Sequence, residues 1–413
     1  MQLLTYPSLV ESPFIIAEIG NYSFGQYTRK ELRNALGTRV DVTFPNYVQS
    51  LYVKKVNGSL NIYTLRITYA ITQFDDPNML EKIFSSISKS RKIVLSYGDW
   101  AYPTFIYKKE EAIISKITSD LDIAGSKVSY TVSCMSAALQ LRGSKFDFPM
   151  RRAKPSDVIK ELIYDNRFRL VSIFQGMANK SKSDINALIA GDDKRVVIEA
   201  KKNMDVLDYI NYLVSCMTPA THNSSSIKNG ASYFLYINDD ILDEYGGTYF
   251  KVVKVKSKVL SKNSYDVYEV DVGYPEKDKV INFTVHNDQE WSILYDYSQK
   301  IEQTNYSYTI DNSGEIVSSY SPSIARAYST SKATAANKNW WSKMTEFPIS
   351  ASLQIKGLLR PQMLMNYIRV NVYFYGQKHI SSGLYIITKQ EDNIDMTGYK
   401  TTLTLLRIGG DQD

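Results

Sequence analysis

From Ile349 to Lys356 the chain alternates without a break, Ile349, Ala351, Leu353 and Ile355 against Ser350, Ser352, Gln354 and Lys356. Only an extended backbone sends every second side chain to the same face, so this run is a strand with one face in a core and the other toward water. A second strand begins at Tyr367, with Ile368, Val370, Val372 and Phe374 on one face and Tyr367, Arg369, Asn371, Tyr373 and Tyr375 on the other, and Gly376 ends it. Leu384–Lys389 and Thr401–Ile408 complete an antiparallel set of four. Between the first two strands, Leu359–Met365 breaks the alternation, and Pro361 is preset for a helical first turn, so a short helical crossover is expected.

The N-terminal third follows the same logic. Ser12–Gly20 reads as one strand ending at a glycine, and Arg29–Ala35 as a short helical turn. Phe44-Pro45 opens a strand through Leu51 and Val53. Asn57-Gly58 is a strong hairpin signal, and the return strand places Tyr63, Leu65, Ile67, Tyr69 and Ile71 on one face. Asp76-Pro77 supplies a cap and a first-turn proline for a helix bearing Leu80, Ile83, Phe84 and Ile87. Strands are expected at Lys92–Tyr97, then after a turn at Gly98-Asp99 through Thr104–Tyr107 and Ala112–Thr118, and at Ser126–Ser133.

Both ends of the chain therefore open on Phe-Pro and insert one helical piece among antiparallel strands. Both also end on Asp-x-Ile-x-x-Gly-like sequence leading into a Thr/Ser strand, Asp122-Ile123-Ala124-Gly125-Ser126 and Asn393-Ile394-Asp395-Met396-Thr397-Gly398. This is the pattern of a diverged duplication. The expected fold class is mainly β with an α+β insertion: two similar antiparallel β-barrel domains plus smaller α+β domains.

Between the copies the character changes. Lys154-Pro155-Ser156-Asp157 starts a helix carrying Val158, Ile159, Leu162 and Ile163; Gly176–Lys194 reads as a long polar loop; Arg195–Ala200 is a short strand. Asp205 caps a second helix with Leu207, Ile210, Leu213, Val214 and Met217, stopped by Pro219. After a Ser/Asn linker at His222–Asn229, strands are expected at Ser232–Ile237, Thr248–Lys256 and Tyr265–Val272, with Gly246-Gly247 as a turn. Asn287 caps a helix through Trp291, Leu294, Tyr295 and Ile301, and Asn305–Val317 is hairpin-like. The expected domains are 1–148, an N-terminal barrel; 149–228, an inserted α+β domain; 229–345, a mixed domain with a Ser/Ala/Thr-rich linker at 318–339; and 346–413, a C-terminal barrel that can draw strands from 229–280.

A chain of 413 residues exceeds one ordinary core. Hydrophobic residues at 44% and charged at 22% are those of a globular protein and not of a disordered one. Tyrosine outnumbers phenylalanine 32 to 15, which suits strands and half-wet interfaces. The net charge of +6 is dispersed, without the basic run of a nucleic-acid arm. Cys134 and Cys216 sit in apolar settings far apart, as buried free thiols made in a reducing compartment. No apolar run reaches the length of a membrane span.

No catalytic, cofactor-binding or metal site is expected. His222, His286 and His379 lack companions at ligand spacing, and the cysteines form no CxxC. Pairing Cys216 with His379 as a nucleophilic couple could arise only by folding. Glu110-Glu111 and Asp239-Asp240 are candidate carboxylate pairs for a glycan hydrolase, which needs two carboxyls about 5–9 Å apart; adjacent strand residues, however, point to opposite faces. Neither a phosphate loop nor a dinucleotide fingerprint is present. Trp340-Trp341 is a candidate subunit-interface anchor, or a hydrophobic pin for the linker end.

The order FPIxAxLxIxGLLRP, YIxVNVYFYG, SGLYIITKQxDxI and GYKTTLTLLR resembles the C-terminal barrel of baseplate hub proteins from contractile-tailed bacteriophages, over about sixty residues. The resemblance implies tail-tube-like barrels and a structural, non-enzymatic virion protein synthesised in the host cytoplasm. It implies a homotrimer whose two barrels per chain make a pseudo-sixfold ring joining a sixfold tail tube to a threefold central spike. Implied partners are the tail tube protein, the central spike protein and baseplate wedge proteins, with transient DNA passage during ejection. A tail-tip hub of a non-contractile tail or phage-like injection system is the nearest alternative. A baseplate cell-wall hydrolase or glycan-binding protein is the alternative of another class.

Overall fold

The computed structural model describes residues 13–25, 42–44, 48–70, 77–100, 105–178, 180–218, 233–255, 266–272, 280–287, 306–310, 316–320, 349–357 and 363–409. In chain order the strands are β1 (Pro13–Ile19), β2 (Tyr22–Phe24), β3 (Val42–Phe44), β4 (Val48–Val56), β5 (Ile62–Ala70), β6 (Lys92–Trp100), β7 (Phe105–Asp122), β8 (Lys127–Met135), β9 (Lys145–Phe148) and β10 (Arg151–Ala153). They continue as β11 (Val196–Ile198), β12 (Lys201–Asp205), β13 (Tyr233–Asn238), β14 (Tyr249–Lys254), β15 (Asp266–Val272), β16 (Val280–Asn287), β17 (Tyr306–Ile310) and β18 (Ile316–Tyr320). The last five are β19 (Ile349–Lys356), β20 (Tyr367–Phe374), β21 (Gln377–Lys378), β22 (Gly383–Asp395) and β23 (Gly398–Gly409). The helices are α1 (Pro77–Lys89), α2 (Pro155–Tyr164), α3 (Leu170–Ile173), α4 (Gln175–Ala178), α5 (Lys182–Ala187) and α6 (Val206–Cys216). The protein is thus mainly β, as expected, and among the described residues no helix is long and apolar enough to cross a membrane.

One sheet of fifteen strands runs through both ends of the chain, and it is built from two modules of identical plan. In the first the order is β6-β7-β8-β5-β4, in the second β20-β22-β23-β19-β16, every neighbouring pair antiparallel. The correspondence reaches single residues. β7 and β22 each bulge against the next strand, between Ile114 and Lys116 and between Ile387 and Lys389. At each bulge a hydroxyl donates to the opposite strand, Ser115 to the Ser133 carbonyl at 2.9 Å and Thr388 to the Thr404 carbonyl at 3.3 Å. β4 and β16 share a second register shift, between Val48 and Ser50 and between Val280 and Asn282. Bulges bend and twist a strand at a set position, so matched bulges impose matched curvature on both modules. Among the described residues no strand pairing closes either module into a separate barrel; β22 instead pairs with β4 and makes the sheet continuous.

The duplication is therefore present, but its phase differs from the Phe-Pro alignment. The counterpart of β4 is β16, and the strand opening after Phe347-Pro348, β19, corresponds to β5. More than sixty residues separate β16 from β19, so the repeat could not be aligned by spacing. Three local expectations also change. Gly98-Asp99 is no turn: β6 runs to Trp100, with Gly98 paired to Phe14 on one side and Tyr107 on the other, and ladders on both edges outweigh the turn preference of a Gly-Asp pair. The charged run Lys108–Glu111 does not interrupt the next strand, because β7 is continuous over eighteen residues. Gly176–Lys194 is not a long loop but contains α5 and part of α4, with Ser181 capping α5 by accepting from the Asp184 amide at 3.2 Å.

Other local signals hold. β4 and β5 flank Asn57-Gly58, where Gly58 adopts φ +74°, as the hairpin requires. Pro155 opens α2, and Asp205 caps α6 by accepting from the Asp208 amide at 2.8 Å. β13, β14 and β15 form where expected, and β17 pairs β18 as a hairpin. The first three residues of the linker expected at 318–339 are the end of β18; the rest of it, the expectations at residues 29–35, 222–229 and 291–301, and most of 359–365 lie outside the described residues.

Two hydrophobic cores result. One lies inside the large sheet and mixes the modules, joining Leu51, Val53, Tyr63 and Leu65 with Leu353, Ile368, Ile394 and Leu403. The other lies in the insertion, where Phe148, Val158, Ile159, Leu162, Tyr209 and Leu213 pack with the β13–β14 hairpin. β13 is buried on both faces: Phe234 and Tyr236 face the first core, Tyr233, Leu235 and Ile237 the second. It is the wall that fastens the insertion to the sheet.

Candidate functional site

Where the modules meet, β22 divides its outer edge between two partners. Its first residues pair with β20, and Ile387 ends that side, its amide donating to the Asn366 carbonyl at 3.0 Å and its carbonyl accepting from the Met365 amide at 2.8 Å. From Lys389 to Ile394 the same edge pairs with β4, Ile394 opposite Leu51 and Asp392 opposite Val53. Both Ile394, 2% exposed, and Leu51, fully buried, belong to the common core.

Strand alternation carries charge into this junction. On β4 the inward positions are Leu51, Val53 and then Lys55; on β7 they include Lys108, Glu110 and Ala112; on β22, Gln390, Asp392 and Ile394. The Lys55 ammonium is ion-paired and hydrogen-bonded to Glu110, whose other oxygen accepts from the Tyr97 hydroxyl at 2.8 Å. Asp392 accepts from the Thr401 hydroxyl at 2.8 Å and from the Gln390 amide at 2.7 Å. The end of β13 adds Asp239, which accepts from Ser136 at 2.7 Å, Asn61 at 2.8 Å and Tyr63 at 3.0 Å. Backbone bonds hold this segment to β7, the Glu111 amide donating to the Asp239 carbonyl at 3.2 Å and the Ile241 amide to Lys109 at 2.8 Å.

Burial sets the charge states. It would raise the Glu110 carboxyl, but Lys55 and Lys108, with hydrogen bonds from Lys55 and Tyr97, overcome it and hold the group below the usual carboxylate range. Burial raises Asp239 and Asp392 despite their donors, and burial together with the Glu110 charge pushes Asp240 up to about 6. One lowered and one raised carboxyl is the electronic arrangement of an acid–base pair. Here, however, Glu110 and Asp239 are both fully buried, so this is a closed polar core tying three strands and the insertion together and not a cleft that admits a glycan.

Lys108 is the unbalanced member. It is buried with no acceptor for its Nζ among the described residues, and desolvation, reinforced by Lys55, pushes its ammonium down to about 8. The unfolded chain keeps that proton to about pH 10.4, so between about pH 8 and 10.4 the unfolded state binds more protons at this site and the Lys108 contribution to stability rises with pH. Replacing Lys108 with Met is expected to abolish that rise and to stabilise the protein at pH 7 by on the order of 2 kcal/mol. Thermal midpoints of both proteins at pH 7 and pH 10 check this, and a variant that retains the rise or melts lower contradicts it.

The remaining candidates separate. Glu111 faces away from Glu110, pairs with Lys92 at 2.6 Å and lines a small cleft of about 60 Å³. Cys134 on β8 and Cys216 on α6 are buried free thiols, each pushed up to about 12 by burial and so poor nucleophiles at neutral pH. His286 lies exposed on β16, and the His379 ring bonds Ser381 at 2.7 Å. Among the described residues no group of three or more His, Cys, Asp or Glu could hold a metal ion. Trp340, Trp341 and His222 lie outside the described residues. Lys55, Lys108 and Asp392 were missed by sequence reasoning, although carrying the alternation of Leu51 and Val53 one step further points Lys55 inward.

The fold is shared with a solved tail protein. A tail protein from Neisseria meningitidis MC58 aligns with a TM-score of 0.50 at 8% identity, over 96% of this chain and 96% of that one. The 43 kDa tail protein of prophage MuSo2 from Shewanella oneidensis gives 0.48 at 10% identity, over 96% and 99%. A component of the E. coli type VI secretion system, described as similar to T4 bacteriophage tail proteins, gives 0.41 at 10% identity, over 89% and 76%. No protein-family model matches the sequence, and no curated protein matches it.

Proposed function

We propose that this chain is a structural hub of a phage-type tail, a trimer whose six like modules form a pseudo-sixfold ring between a sixfold tube and a threefold spike. The observation that carries this reading is the duplication, two modules with the same strand order, the same bulges and the same bulge hydrogen bonds. A threefold assembly of such chains offers six near-equivalent surfaces on one side while remaining threefold as a whole. The fold shared with the Neisseria tail protein supports a place in a tail. The full burial of Glu110 and Asp239 supports a scaffold role over a hydrolase. In this reading the ring surrounds the path of ejected DNA, joins the tube protein above and the spike below, and contacts wedge proteins at its rim. The tip of a non-contractile tail or injection machine would use the same geometry.

The test is particle mass and symmetry. Purified protein at micromolar concentration is expected to weigh three times the 47.1 kDa chain and to image as a ring with a sixfold-like face. A monomer under those conditions would overturn the proposal.

A further inference from the structure

The geometry points to the contact that joins one copy to the next: the outer edge of β7 beyond its bulge pairs antiparallel with the outer edge of β16 of a second copy. It rests on the ring reading for the number of copies, but the contact itself is deduced from the junction inside the chain. In the second module β22 gives its first half to β20, bulges at Thr388 and passes its second half to β4. β7 is its counterpart and does the first two things only. Its first half pairs with β6, the Ile114 amide donates to the Arg91 carbonyl at 2.9 Å, as the Ile387 amide does to Asn366, and the bulge follows at Ser115. Beyond it, among the described residues, no strand takes the outer edge of Lys116–Asp122. Leu121, the counterpart of the buried Ile394, is 64% exposed.

The missing partner is present at the other end of the sheet. β16 is the counterpart of β4, and among the described residues it pairs only with β19. Phe283, the counterpart of the buried Leu51, is half-buried, and Ile281 beside it is exposed. Each chain thus has one satisfied junction of this type and the two unmatched halves of another. Exposed flat edges are sites of strand addition, which a cyclic assembly removes. Transferring the register of β22 on β4 sets Ile117 opposite Asn287, Thr118 opposite His286, Ser119 opposite Val285, Asp120 opposite Thr284 and Leu121 opposite Phe283. Leu121 and Phe283 then meet as Ile394 and Leu51 do. The contact is head-to-tail and joins unlike edges, so it propagates around a ring instead of stopping at a two-fold dimer. The ion pair is not repeated in it: Ile117 and Asn287 stand where the inner junction has Gln390 and Lys55.

Cysteine cross-linking of the full chain tests the register, with Cys134 and Cys216 left in place because they are buried. Two facing pairs are made, Ser119→Cys with Val285→Cys and Asp120→Cys with Thr284→Cys. One of any two adjacent antiparallel pairs is of the close, non-hydrogen-bonded kind suited to a disulfide. Mild oxidation is expected to give covalent dimers and trimers from at least one pair, in at least tenfold higher yield than from the out-of-register combination Ser119→Cys with Thr284→Cys. A particle of trimeric mass that cross-links through neither facing pair overturns the strand pairing and leaves the ring standing. A monomer at every concentration overturns both, and a particle that stops at two chains overturns the head-to-tail arrangement.

Discussion

Replacing Glu110 with Leu is expected to destabilise the protein by about 3–5 kcal/mol, and replacing Lys55 with Met in the same chain is expected to restore most of that loss. The asymmetry follows from where the pair sits. Lys55 and Glu110 are both buried, so the desolvation of each charge is already complete in the folded state, and it is offset chiefly by their mutual attraction, with the Lys108 charge and the Tyr97 hydrogen bond adding to it at Glu110. Removing the carboxylate leaves an ammonium in a core with Lys108 as its neighbour, which either stays charged without a partner or gives up its proton. Removing both charges leaves side chains of similar volume beside the common core. Urea unfolding of the three proteins decides the matter. A single variant within 1 kcal/mol of the parent, or a double variant no better than the single, would show that the pair is not the lock described here.

The second large effect is a contrast between equivalent positions. Ile394→Asp places a carboxylate against Leu51 in the interior of the module junction and is expected to cost at least about 3 kcal/mol, because the site offers apolar neighbours and no cation replaces the lost packing. Leu121→Asp makes the same change at the counterpart on β7, where the side chain is largely exposed, and is expected to alter the stability of the single chain by no more than about 0.5 kcal/mol. Its effect should fall on association, with the particle shifting from the trimeric to the monomeric mass. Unfolding curves and particle masses of the two variants together provide the check. If Leu121→Asp unfolds the chain as readily as Ile394→Asp, the β7 edge is already covered within the chain and the proposed contact falls.

Much of this architecture was readable one strand at a time. The alternation of Ile349–Lys356, the Asn57-Gly58 hairpin, Pro155 at the start of α2 and the Asp205 cap each act over a few residues, and each formed as expected. Two of the errors share one cause, that a local signal was outvoted by a distant partner. Gly98-Asp99 has turn chemistry, yet Phe14 and Tyr107 hold it in a ladder from both sides. Lys108-Lys109-Glu110-Glu111 has the composition of a solvated loop, yet Lys55, far away in sequence, supplies the charge that lets Glu110 enter the core. The candidate carboxylates Glu110 and Asp239 do come together, but what surrounds them is set by Asn61, Tyr63, Tyr97 and Ser136 from three other stretches of chain.

By itself the sequence determined many of the strands, which face of those is apolar, and that the design is used twice, because periodicity, turn chemistry and caps are properties of neighbouring residues. Only the tertiary structure decided that β16 and not the strand after Phe347 completes the second module, that β22 hands its edge to β4, and that among the described residues no strand takes the corresponding edges of β7 and β16. Those are matters of pairing between backbone edges whose hydrogen-bonding groups are the same in every residue but proline. Their partners are chosen by the curvature, bulges and buried charges of the assembled sheet, none of which is carried by a local pattern.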